Sequence, residues 1–375
     1  MSVFRRHLDI LCNYHDDYVA QGVKALGNAG GCSGAAFWKV RGKEQNYCLR
    51  RWASRYPTQE RLEFIHAVQW HAKEEGFTKF AMPIETLEGM TYVADGESFW
   101  QLEPWMEGRA DFRKHPGTAR LVNAMTALAE FHLAMETFPI ENERGAAPAL
   151  LEHERILLKW TDSLLDRLEA AICEPKKDCS ADFQSVRFIS GLSDSEGPAG
   201  VDRWQIGNAV TIPCPLKLRF ESRLQFAASN LLRTIRKQRY AVLAQVVRMS
   251  NLALPLLPCI HDLHAAHLYF DRQNFNGFID FGSAGIDSPT VDVARLLNTL
   301  TESRAVHWLV GLSAYQSLRP LQREELAALQ VFRKSTALTT AIRWLEYIFM
   351  QNHPVKCSTR LVRQLERMNE MLERV

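Results

Sequence analysis

The chain concentrates its chemistry between Cys259 and Leu300, in CIHDLHAAHLYFDRQNFNGFIDFGSAGIDSPTVDVARLLNTL. Asp262, Asp280 and Asp292 punctuate this segment. Asp262 follows the apolar run Leu254 to Ile260 and sits in a polar, histidine-rich loop, where a carboxylate can orient a hydroxyl and accept its proton. Asp280 ends the run Phe275 to Phe281, beside Gly282. A carboxylate at a strand end next to a freely rotating backbone suits a divalent cation held against phosphate. His261, His264 and His267 recur at intervals of three, so a histidine metal centre is the main alternative chemistry. That spacing gathers ligands only on a helix, which Pro258 and the strand-like residues after His267 oppose.

The elements that must position these groups can be read from their patterns. Leu268 and Phe270, then Phe275 to Phe281, form two short strands joined by the turn-forming DRQN. Ser288 as N-cap and Pro289 at the first helical position start a helix whose buried stripe is Val293, Leu296, Leu297 and Leu300.

The segment resembles the phosphotransferase enzyme family, which covers aminoglycoside phosphotransferases, choline kinases, homoserine kinases and fructosamine kinases on a protein-kinase-like fold. The family pattern runs H-G-D-x-x-x-x-N, then I-D-F/W-x, then D-P-x-x-D-L-A. The resemblance makes Asp262 the catalytic aspartate and Asp280 the metal-binding one. Asp287, Pro289 and Asp292 match the tail, with Asp292 bracing the catalytic loop. The chain departs from the pattern at Ile260, which stands for the leading histidine, and at His267, which stands for the metal-binding asparagine. Imidazole there implies a lean towards manganese over magnesium.

Such a fold demands a glycine-rich hairpin, a basic residue on the next strand, a helix and a hinge. Gly27, Gly30, Gly31 and Gly34, with Ser33, fall in LGNAGGCSGAAFWKVRG, before the strand-like FWKV, where backbone N–H groups can approach phosphate. YCLRRW is the next strand, with Tyr47, Leu49 and Arg51 alternating against Cys48, Arg50 and Trp52. The family's V-L-K/R context makes Arg50 the phosphate-contacting residue, and Arg51 is its competitor. A helix from Pro57 to Glu75 offers Glu63 or His66 as its partner. Asp95 and Gly96 turn the strand Thr91 to Ala94 into Ser98 to Leu102. The linker that follows, Leu102 to Gly108, resembles the hinge, with backbone at Glu103 and Trp105 meeting the adenine edge.

The remainder reads as helices: one from Leu121 that carries His132 as a packing residue, one from His153, two at Arg223 to Lys237 and Tyr240 to Ser250, then Glu324 to Ser335, Thr336 to Phe349 and Thr359 to Glu373. The stretch from Cys173 to Trp204 breaks periodicity. Trp160, Trp204, Trp308 and Trp344 could line an aromatic box for a quaternary amine, although large aromatics more often pack a core.

Length and composition fit this reading. At 375 residues, 46% hydrophobic and 23% charged, the chain can bury a two-lobe core. A net charge of +2 without Lys/Arg runs disfavours nucleic acid as a partner. LALPLLPCI, the longest strongly apolar run, is far short of a membrane span. Eight cysteines without a C-x-x-C pair suggest reduced thiols in a cytoplasmic protein. The expectation is an α+β protein-kinase-like fold, with a small β-rich N-lobe over 1–108 and a larger helical C-lobe over 109–375, the latter holding a helical insertion at about 145–250. The resemblance implies an enzyme that uses ATP and Mg2+ or Mn2+ to phosphorylate a small-molecule hydroxyl. The alternative is a pseudokinase that binds nucleotide without turnover.

Overall fold

The computed structural model describes residues 6–18, 22–27, 34–54, 56–174, 215–351 and 359–375, with backbone alone over 215–221. Gly30, Gly31, Ser33 and Trp204 lie outside the described residues. After helix α1 (Arg6–Leu11) come β1 (Gly22–Gly27), β2 (Ala36–Arg41), β3 (Asn46–Arg51), α2 (Gln59–Glu74), β4 (Val93–Asp95) and β5 (Ser98–Pro104). The strands form one antiparallel sheet in the order β1-β2-β3-β5-β4.

Period-two alternation gives this sheet two different faces. Trp38, Val40, Tyr47, Leu49, Trp100 and Leu102 pack with Ile10, Leu11 and Tyr14 into a buried cluster. The opposite face pairs Cys48 with Glu103 and Arg50 with Gln101 across β3 and β5. Its polar groups are thereby supported on a rigid layer. The tight turn falls one residue later than expected, at Gly96 and Glu97, because Asp95 still pairs with Ser98 at the end of β4; Gly96 takes φ +60°.

The chain continues through α3 (Thr118–Met135), β6 (Arg144–Gly145), α4 (Pro148–Lys159), α5 (Asp162–Cys173), α6 (Pro215–Ser250), β7 (Leu254–Pro255), β8 (Leu257–Cys259), β9 (Leu268–Asp271), β10 (Asn274–Phe278), β11 (Gly285–Asp287), α7 (Thr290–Thr301), α8 (Ala305–Gln316), α9 (Arg323–Phe349) and α10 (Thr359–Arg374). It folds as two compact units, one of residues 1–158, 240–337 and 374–375, the other of 159–239 and 338–373. Among the described residues no helix is long and apolar enough to cross a membrane.

Four helix boundaries differ from expectation. The helix from His153 is two helices, because Thr161 caps α5 by accepting the Leu164 N–H and stops α4 at Lys159. Arg223 to Ser250 is a single helix with no break at Gln238. No glycine or proline interrupts that run, and Arg239 within it is buried against the Trp160 carbonyl and Asp162. Ser335 and Thr336 likewise lie inside the continuous α9, Ser335 meeting His153 Nδ1 at 2.9 Å. Ser288 is buried just ahead of α7, which begins at Thr290. The stripe of α7 is as expected, with Val293, Leu296, Leu297 and Leu300 all buried. Trp160 and Trp308 are core residues at 1% and 2% exposure, which removes them from an aromatic box.

Candidate active site

Asp292 is the foundation of the loop that carries Asp262. It is fully buried in the first turn of α7, and its two oxygens accept the N–H groups of Ile260 at 2.6 Å and His261 at 2.7 Å. His132 Nε2 lies 3.4 Å from Asp292, while its Nδ1 meets the Tyr315 hydroxyl at 2.7 Å. Burial pushes His132 towards its neutral form. Burial also works to raise Asp292, but His132 and the backbone donor of Ile260 outweigh it and hold the carboxyl below its usual range. His132, expected as a packing residue, is thus also a hydrogen-bonded strut.

The loop turns sharply above this brace. His261 takes φ +64°, a left-handed conformation that costs a side chain roughly 1–2 kcal/mol and that the family's glycine adopts freely. Its Nε2 points towards the buried Asp287 at 3.6 Å, away from His264 and His267. Asp287 also accepts the N–H groups of Ala149 and Ser288, each at 2.7 Å, and burial raises its carboxyl to about 7.

Asp262 emerges from this loop half-buried, in an ion pair with Arg295 of α7. Its carbonyl accepts His267 Nδ1–H at 2.8 Å. A carbonyl only accepts, so Nδ1 carries the proton, and in the neutral ring Nε2 is left with a lone pair. That nitrogen lies 3.9 Å from Asp280 Oδ2. One imidazole therefore spans from the Asp262 loop to the segment of Asp280.

β9 and β10 form the expected hairpin, and Asp280 stands two residues beyond it at φ +66°, ψ +68°. Gly282, two residues on, favours close approach: a Cβ there would sit tightly, 3.0 Å from the Trp52 ring and 3.1 Å from Asp280 Oδ1. Arg50 Nη1 donates to Asp280 Oδ1 at 3.0 Å, and its guanidinium lies over the Trp52 ring at 3.5 Å from the centroid. Burial alone would raise Asp280, but the Arg50 charge, His267 and the Gly282 N–H hold it below the ordinary carboxylate range.

The helix partner expected for Arg50 is neither candidate. Glu63 accepts from Gln59 and the Tyr92 hydroxyl, and His66 is buried between Thr91 and Gln101. Gln101 Oε1 already accepts Trp52 Nε1–H at 2.9 Å, so His66 Nε2 donates to it as well. Burial lowers His66 to about 4, keeping it neutral. Gln101 Nε2 in turn donates to Glu103 at 2.9 Å, and burial raises the Glu103 carboxyl to about 7. A pocket of about 290 Å³, counted with its open mouth, is lined by Arg50, Trp52, Gln101, Glu103, Asp280 and Gly282, among others.

Of the remaining expected residues, Gly34 takes φ +79° just before β2. Trp105 N–H is taken by the Asn46 carbonyl at 2.9 Å, and Lys39 Nζ sits over the Trp105 ring at 4.4 Å. Arg51 leans towards Trp100 on the opposite sheet face. Sequence reasoning overlooked Arg295 and the part played by Trp52. Trp52 was findable, since it shares the Arg50 face by alternation. Arg295 gave only the weak signal of a cation three residues after Asp292, the one basic residue of its helix.

Residues 194–331 match the model of the phosphotransferase enzyme family. No curated protein matches the sequence significantly. Among solved structures, the chain is similar to an aminoglycoside phosphotransferase from Alicyclobacillus acidocaldarius at 15% identity, covering 98% of this chain and 92% of that one with a TM-score of 0.56. It is similar to spectinomycin phosphotransferase APH(9)-Ia, in complex with ADP and spectinomycin, at 12% identity, 100% and 97% coverage and a TM-score of 0.59. Amicoumacin kinase hAmiN, in complex with AMP-PNP, Ca2+ and Ami, gives 11% identity, 100% and 93% coverage and 0.60. At these identities the structural likeness shows the fold. The chain is similar to the phosphotransferase enzyme family over residues 194–331 and has an α+β, protein-kinase-like fold with a small antiparallel sheet lobe and a larger helical one.

Proposed function

We propose that this protein transfers the terminal phosphoryl group of ATP to a hydroxyl of a small molecule. The observation that carries this reading is the single imidazole of His267, which links the carbonyl of Asp262 to the carboxylate of Asp280, while Arg50 takes the other oxygen of Asp280. Lobes of 1–108 and 109–375, with a helical insertion at about 145–250, fit the reading.

In this account the loop of Gly30, Gly31, Ser33 and Gly34 covers the phosphates and Arg50 steadies them as a permanently charged fork. The Nε of Arg50 has no hydrogen-bond partner among the described residues. The adenine edge lies along Glu103 to Met106. Because Trp105 N–H is already used, the donor passes to Met106, whose N–H has no protein acceptor among the described residues. Asp280 and His267 fit a divalent cation: one anionic oxygen and one imidazole lone pair converge there, a set that Mg2+ tolerates with water and Mn2+ favours. A cation bound there would offset charge on the phosphate oxygens. Asp262 orients the acceptor hydroxyl and takes its proton once Arg295 is displaced.

The Arg295 ion pair on Asp262 also supports a second reading, a nucleotide-binding protein without turnover. Phosphate transfer from ATP with Mg2+ or Mn2+, screened over aminoglycosides, amino sugars, choline and homoserine, separates the two. Asp280→Ala should weaken metal-dependent ATP binding by on the order of a hundredfold, since it deletes the anionic ligand. Tight metal-ATP binding by that variant would contradict the assignment, and binding without transfer to any acceptor or to water would favour the second reading.

A further inference from the structure

We propose that Asp262, His264 and His267 form a second cation site, filled without nucleotide and competing with the nucleotide's cation for His267, for a transition ion of the zinc or cobalt type. One potential ligand atom from each of these three side chains lies within 4.8 Å of the other two. Around a tetrahedral ion such atoms stand roughly 3.4 Å apart, so a side-chain rotation of about 1 Å closes the site. All three residues are half-buried and none is locked in a core.

The sequence argues against this site on the ground that three-residue spacing needs a helix. The fold removes the objection with a turn: His267 N–H donates to the His264 carbonyl at 2.8 Å, and the two rings lie side by side with centroids 3.6 Å apart. His261 is not part of the set, since it faces Asp287.

A second feature points to a metal. His267 Nδ1 donates to the Asp262 carbonyl, the outer bond that ligating histidines keep, and this leaves the Nε2 lone pair available to an ion. His264 Nδ1 accepts the Ala266 N–H at 3.2 Å, a long contact that a metal–nitrogen bond can replace. Arg295 engages Oδ1 of Asp262, which leaves Oδ2 for the ion. Two imidazoles and one carboxylate select borderline transition ions over magnesium and leave a coordination position open. The Arg295 charge makes the site weaker than a closed structural zinc centre. On the phosphotransferase reading, an ion held here removes Asp262 from the acceptor and blocks transfer.

The test is a titration of the nucleotide-free, full-length chain with Co2+, followed by visible absorption. The expected result is saturation at one ion per chain, competed by Zn2+. His264→Ala and His267→Ala should each weaken binding by at least about tenfold without changing the thermal melt. Should the alanine variants fail to fold, His264→Gln and His267→Gln serve in their place. Asp280→Asn should retain Co2+, while His264→Ala should retain Mg2+–ATP. Absence of saturable Co2+ binding, or binding undiminished in both histidine variants, overturns the site. Cobalt held by the histidines in a chain that binds no ATP would sink the phosphotransferase reading and leave this site standing.

Discussion

The underside and the outer face of the Asp262 loop obey different rules. Beneath it, Asp292, His132, Tyr315 and Asp287 are sealed at 0% exposure, and their hydrogen bonds join α3, α7, α8 and the loop itself. On the outer face, Asp262 and Arg295 form a half-exposed pair, and the rings of His264 and His267 lie side by side, tilted by 37°. Of the two departures from the family pattern, His267 lies on the outer face and Ile260 is buried beneath it, where only its backbone N–H is used and the side chain is free to differ. Buried donors and acceptors are costly to change one at a time, whereas exposed groups can be exchanged with little structural consequence.

That contrast makes its largest prediction for Asp292→Ala. Removing this carboxylate orphans two backbone N–H groups and a buried histidine, so the variant should lose about 3–5 kcal/mol in urea unfolding. Arg295→Ala, on the outer face, should lose less than about 1 kcal/mol. Equal losses would erase the distinction between the two faces.

A smaller effect separates the layers by pH. His66 is buried and its folded pKa is lowered to about 4, below the unfolded value of about 6.5. A depressed pKa gives stability that is present above about pH 6.5 and lost as pH falls towards 4, on the order of 3 kcal/mol at most. Asp287 and Glu103, raised to about 7, act in the opposite sense, losing stability as pH rises to that value. Comparing wild type with His66→Asn isolates the histidine: the variant should be less sensitive to acidification between pH 6.5 and 4.5. Parallel pH profiles would exclude His66 as a titrating core group.

The smallest effect concerns backbone strain at the boundary between the faces. His261→Gly should relieve the positive φ and, after the entropy glycine adds to the unfolded chain, stabilise by about 0.5 kcal/mol. A loss above about 1 kcal/mol in denaturant titrations would mean that the His261 contact with Asp287 outweighs the strain.

Much of this was legible in the sequence, because local pattern decided it. The β4–β5 hairpin to within one residue, the hairpin around DRQN, the helix ending near Glu74 and the stripe of α7 follow from turn chemistry and periodicity. The ordered aspartates announced the site. What could not be read was partner choice across long sequence distances. Arg50 reaches Asp280 over 230 residues, and His66 turns to Gln101, because sheet register and burial settle those contacts. The fused helices α6 and α9 were misread as pairs where polar residues interrupt the stripe. Those side chains find buried partners that no local rule reveals, Arg239 with Trp160 and Ser335 with His153.

The central claim is that Asp262 and Asp280 divide the chemistry, one serving the acceptor and the other the metal-bound nucleotide. The most direct measurement is turnover of ATP alongside calorimetric binding of Mn2+–ATP, for wild type and Asp262→Asn. The account predicts a fall in kcat of on the order of a hundredfold or more with nucleotide affinity preserved, because the substitution removes the base and no phosphate contact. An unchanged kcat, or a loss of affinity matching the loss of rate, would contradict it.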